Sequence, residues 1–67
     1  MSVAKVIEVS AESAKSFEDA IQLGIKRAGT TVKNIKSAWI QEQKVTVEKG
    51  KVVSYRINMK VTFIISE

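Results

Sequence analysis

The sequence has no cysteine, no histidine and no proline, and only three glycines among its 67 residues. Without cysteine there is no disulfide and no thiolate nucleophile, and without histidine there is no imidazole for general acid–base work or for a Ser-His-Asp arrangement. Zinc sites are built largely from those same two residue types, so neither a structural metal of that kind nor an enzyme is expected. Aromatics are scarce too, at one Trp, one Tyr and two Phe. The eleven Lys and Arg give a net charge of +4 but are scattered along the chain. A nucleic-acid binder would show a dense basic stripe or a set of stacking rings, so nucleic acid is not an expected partner. No apolar run approaches the roughly 20 residues that span a bilayer, and MSVAKVIEVS lacks the apolar stretch of a signal peptide. A cytoplasmic protein without membrane contact is expected, as one domain over residues 1–67.

A chain this short buries a small core, and the margin left after ordering entropy is commonly only about 3–5 kcal/mol. Disulfides, a structural metal or self-association usually add to that margin. The composition removes the first and makes the second a poor prospect, so an oligomer is expected.

What is present is strong patterning. In SYRINMKVTFII, Tyr55, Ile57, Met59, Val61, Phe63 and Ile65 alternate with Ser54, Arg56, Asn58, Lys60 and Thr62. Successive side chains leave a pleated strand on opposite sides, so this alternation predicts a strand with one apolar and one polar face. VAKVIEV, from Val3 to Val9, is rich in β-branched residues on both sides, which suits a strand covered on two faces. Between them the period changes. Phe17, Ala20, Ile21, Gly24, Ile25 and Ala28 recur at the spacing of one helical face. Ser13 or Ser16 can cap the start of that helix, with Ser16 and Asp19 spaced as a capping box, and Gly29 can end it in the left-handed region. Gly24, in mid-helix on the apolar side, points to a close approach of helix to sheet.

In KSAWIQEQKVTVEKG, Ala38 and Ile40 share one parity while Val45 and Val47 share the other. The inward side must therefore switch between Gln41 and Lys44, which a β-bulge accomplishes. Lys49-Gly50 then predicts a tight hairpin turn. The expected fold is α+β in the order β-α-β-β, with a three-stranded antiparallel sheet wrapped around one helix. The pattern leaves the strand order open.

This order, together with KVIEV, SFEDAI, RAGTTVKNI and YRINMKVTF, resembles the dodecins over nearly the whole chain. The resemblance implies a hollow homododecamer that holds flavins in pockets between subunits. In flavin-binding members a Trp in the second strand stacks on the flavin ring, and a Gln in the third strand bonds the ring's polar edge. Laid over this chain, the Trp falls on Ser37 and the Gln on Arg56, while an acidic residue that reaches the flavin's polyol chain falls on Glu42. The Tyr-Arg pair of YRI is similar to a branch of the family without the stacking Trp.

The candidate ligand-binding residues are therefore Ser37, Trp39, Glu42 and Arg56. Trp39 follows Ser37 by two residues and so shares its face, where it can stack on a ligand or anchor a subunit interface. Arg56 can pair with Glu42 or Glu8 of a neighbouring copy, or meet a phosphate. The expected function is non-enzymatic storage or sequestration of a flavin-type cofactor (riboflavin, FMN or FAD) by a homododecameric shell. The alternative is an assembly of the same fold that binds no flavin and uses an interfacial cation or a protein partner.

Overall fold

A computed structural model of the chain describes residues 2–66. Strand β1 (Val3–Ser13) leads into helix α1 (Phe17–Ala28), and strands β2 (Ile35–Glu48) and β3 (Lys51–Ser66) follow as a hairpin. The order β-α-β-β is the expected one, and the sheet order is β1-β3-β2 with both pairings antiparallel. The strongly alternating β3 thus lies in the centre. It is the only strand with neighbours on both sides, and Ile57, Met59 and Val61 on it are almost wholly removed from water. Burial of each such side chain stabilises by about 1.5–3 kcal/mol. Ala20 of the helix completes the core, and Ile7, Val9, Ala11, Ala38 and Ile40 pack around it.

The helix starts where its sequence signals say it should. The Ser16 side chain accepts from the Asp19 backbone N–H at 3.0 Å, and the buried Ser13 hydroxyl donates to the Asp19 carboxylate at 2.6 Å. Glu18 and Asp19 lie in the first turn and Lys26 and Arg27 in the last, complementing the helix dipole. The other end departs from expectation, because Gly29 keeps a right-handed conformation at φ −65°. Thr30 and Thr31 continue the turn by donating backbone N–H groups to the carbonyls of Arg27 and Ala28. Gly24 does mark a close approach, since a Cβ there would sit 2.6 Å from Met59 Cε and 3.2 Å from Ala11 Cβ. The helix lies mainly over β1 and β3, and no helix among the described residues is long and apolar enough to cross a membrane.

The pairing of β2 with β3 steps from Ile40↔Met59 to Glu42↔Asn58, leaving Gln41 without a partner. This bulge falls within the predicted window and accounts for the change of parity. At the hairpin tip Lys49 (φ 51°) and Gly50 (φ 77°) both occupy the left-handed region, as a two-residue turn matched to strand twist requires.

Strand β1 is longer than the sequence suggested. Its added residues Ser10, Ala11, Glu12 and Ser13 alternate in burial, with the polar ones turned outward until Ser13. Nor is β1 covered on two faces within one chain: Ile7, Val9 and Ala11 pack inward, while Val6 on the opposite face is 52% exposed. Past the row Ser13↔Tyr55↔Val45, β1 has ended and only the β2–β3 hairpin continues, as a two-stranded arm. Phe17 and Tyr55 meet edge to face at 5.2 Å at the root of this arm.

Candidate functional site

The outward face of the sheet, away from α1, carries every candidate residue named above. Its geometry follows from the register. One cross-strand row joins Val6, Thr62 and Ser37; the next joins Glu8, Lys60 and Trp39; a third joins Ser10, Asn58 and Glu42; a fourth joins Glu12, Arg56 and Lys44. Successive rows are separated by two residues, or about 7 Å. The bulge at Gln41 keeps Trp39 and Glu42 on one face although three positions separate them. Without the extra residue as a bulge, Glu42 would turn toward the helix.

The four candidates form a strip rather than a cluster. Glu42 and Arg56 come together in the wall of one open pocket of about 200 Å³, shared with Ser10, Lys44, Ile57 and Asn58. Trp39 lies one row away and is 65% exposed. Ser37 lies a further row along, about 20 Å from the Arg56 row. Pockets that enclose a small molecule usually measure about 300–1,000 Å³, so the pocket of the single chain is smaller than such a site.

The sequence offered Arg56 a carboxylate of another copy, Glu42 or Glu8, or a phosphate; within its own chain its guanidinium donates to the Glu12 carboxylate at 3.1 Å, with both side chains about half exposed. Glu12 is the in-register neighbour of Arg56, and this was hidden in the sequence because β1 reads as ending at Val9. Glu8 accepts from Asn58 Nδ2 at 3.2 Å. Glu8, Ser10, Glu12, Lys44 and Asn58 are thus parts of the strip that sequence reasoning underused; pairing β1 with β3 is the information that brings them in. Lys44 stands opposite Arg56, and like charges across a ladder repel, so the Arg56–Glu12 pair offsets part of that repulsion. Among the described residues no group of three or more acidic side chains converges as a metal cage.

The flavin arrangement implied by the resemblance does not fit these side chains as they stand. The stacking position offers the Ser37 hydroxyl, and the ring-edge position offers a guanidinium already bonded to Glu12. Trp39 is the one ring on this face, displaced by a row.

A three-stranded sheet in the order β1-β3-β2 holding a single helix, in so short a chain, is a narrow structural class. The dodecin family model matches residues 3–66, and the chain belongs to the dodecin family. Among its relatives is "Calcium dodecin" of Mycobacterium tuberculosis, 36% identical over 63 residues that cover 94% of this chain and 89% of the relative. The crystal structure of a calcium dodecin from M. tuberculosis, described as a calcium-chelating antigen with a novel calcium-binding site, is 38% identical and superposes with a TM-score of 0.80. That match covers 92% of this chain and 89% of the other. Dodecin from Streptomyces davaonensis superposes with a TM-score of 0.91 at 26% identity, covering 98% and 97% of the two chains. Membership supports the expected self-association into a dodecin-type homododecamer.

Proposed function

We propose that this protein is a non-enzymatic container of the dodecin type, in which copies close into a homododecameric shell and hold a small charged ligand between their outward sheet faces. The ligand favoured by the geometry is a divalent cation of the calcium type. One observation carries this reading: Ser10, Asn58 and Glu42 lie in a single cross-strand row at the pocket and present a hydroxyl, an amide carbonyl and a carboxylate. Calcium takes six to eight oxygens. One row falls short of that number, and two rows meeting across an interface approach it. Asn58 already donates its Nδ2–H to Glu8, which leaves its carbonyl oxygen as an acceptor for a cation. The Arg56–Glu12 pair keeps one of the two neighbouring positive charges neutralised. The calcium dodecin similarity over 94% of the chain supports the same choice.

Titration of calcium into the purified, chelator-treated assembly by calorimetry tests it. Saturable binding that disappears in Glu42→Gln is expected, and no heat of binding to the wild type at millimolar calcium would defeat it.

A flavin-type cofactor is the second reading, favoured by Trp39 alone. An exposed indole on a polar sheet face can stack on a flat heteroaromatic, which is worth about 1–3 kcal/mol per ring by analogy with base stacking. Adding riboflavin or FMN while following flavin and Trp39 fluorescence decides it. Quenching at micromolar ligand would support this reading, and none would remove it. Native mass serves both, since twelve copies of the 7.4 kDa chain total about 89 kDa.

A further inference from the structure

Glu42 stands beside two cations and, among the described residues, is paired with neither. Lys44 follows it by two residues on the same face of β2, and Arg56 lies on β3 in the neighbouring row, diagonal to it. All three line one pocket. Diagonal neighbours on one face of an antiparallel pair lie about 7–8 Å apart, a span that a guanidinium on its flexible stem can bridge. Arg56 therefore has two carboxylates in reach. The structure places it on Glu12, its in-register neighbour on β1, at 3.1 Å. Both side chains are about half exposed, so this is an ion pair of the weak, exchangeable kind.

A cation at Glu42 needs that carboxylate unpaired. Were Arg56 to swing across, its planar fork would match the carboxylate and bring a positive charge into the row of Ser10, Asn58 and Glu42. We infer that Glu12 is a positioning residue for this site: by holding Arg56 on the β1 side it keeps Glu42 open, and Arg56 is a built-in competitor of the bound cation. Direct attraction between Glu12 and a cation at Glu42 does not account for such a role. The two residues are two strands and one row apart, so their strand positions are about 12 Å from one another. That exceeds the roughly 8–10 Å over which salt screens exposed charges. Lys44 is the weaker competitor, because its ammonium is a strongly hydrated point charge without the guanidinium's fork. The inference rests on the cation reading above and adds what keeps its carboxylate free.

Calcium titrations by calorimetry on the chelator-treated assembly test it through a double-variant cycle. Glu12→Ala should weaken binding about fivefold, the upper range for an exposed ion pair formed in competition. Arg56→Gln should bind calcium more tightly than the wild type. Adding Glu12→Ala to it should change the affinity less than about twofold, because the charge to be held is gone and Glu12 itself is too far away to matter. An equal loss in both backgrounds would make Glu12 a simple long-range charge and overturn the inference. A structural readout stands apart from calcium. A crystal structure of calcium-free Glu12→Ala should show the Arg56 guanidinium on Glu42, and a guanidinium turned to solvent counts against the mechanism. Wild type that takes up no calcium defeats the cation reading and the competition together, whereas wild type and Glu12→Ala that bind equally well defeat the inference alone.

Discussion

Replacing Gly24 with alanine tests how tightly the helix is seated on the sheet. In an exposed helix interior this change would stabilise by about 1 kcal/mol through helix propensity. Here the new methyl would sit 2.6 Å from Met59 Cε and 3.2 Å from Ala11 Cβ. Met59 is completely buried, so its terminal methyl must find room inside the core, roughly 1 Å from where it now lies. The Ala11 Cβ is bonded directly to the β1 backbone and can yield only by a shift of strand or helix. Overpacking of a close-packed core typically costs about 1–3 kcal/mol, and the expected balance is a net loss near 1 kcal/mol. For a domain of this size that corresponds to a fall in Tm of about 4–8 °C. Because assembly adds stability by mass action, variant and wild type must be compared at one chain concentration, by urea unfolding followed through far-UV circular dichroism and Trp39 emission. The reasoning also requires coupling to Met59. Met59→Leu removes the offending terminal carbon at nearly constant volume, so the double variant should be more stable than the two single effects summed. A Gly24→Ala protein as stable as the wild type, or no coupling to Met59→Leu, would refute the argument.

Ser16→Ala removes the hydroxyl that accepts from Asp19 N–H; a loss of about 1 kcal/mol is expected in the same unfolding assay. Gly50→Val puts a β-branched residue at φ 77° and should cost about 1–2 kcal/mol, whereas a neutral result would mean that the turn rearranges freely. Glu12→Gln breaks a half-exposed ion pair and should change stability by no more than about 1 kcal/mol, with the difference shrinking as salt is added.

Much of the fold was legible because it is encoded in periods. The alternation of Tyr55 to Phe63 gave the central strand, the spacing from Phe17 to Ala28 gave the helix, and the parity change after Ile40 located the bulge to within three residues. Strand order was not legible, because alternation says which face a residue takes and not which strand lies beside it. The end of β1 was misjudged for a related reason. Ser10, Glu12 and Ser13 are polar and look like a loop, yet on an edge strand their outward members need no apolar cover, and the ladder to Asn58 and Arg56 holds them. Gly29 was misjudged because a glycine after a helix permits the left-handed region without requiring it, and the two threonines that follow close the turn another way. The site shows the same division. Residue types named Trp39, Glu42 and Arg56, but the partner of Arg56 depended on a register that one sequence does not contain.

The surplus residue at Gln41 has a consequence for the architecture of the whole particle. Excise it, and the alternation upstream and downstream still meets in phase, so Trp39 and Glu42 would keep their common side. What would vanish is the local kink and extra twist that such an irregularity imposes on a ribbon. Sidedness and curvature are thereby separable in this chain, and a protein shortened by that one amino acid would present the same groups on a flatter wall, whose copies would have to close, if at all, on a different radius.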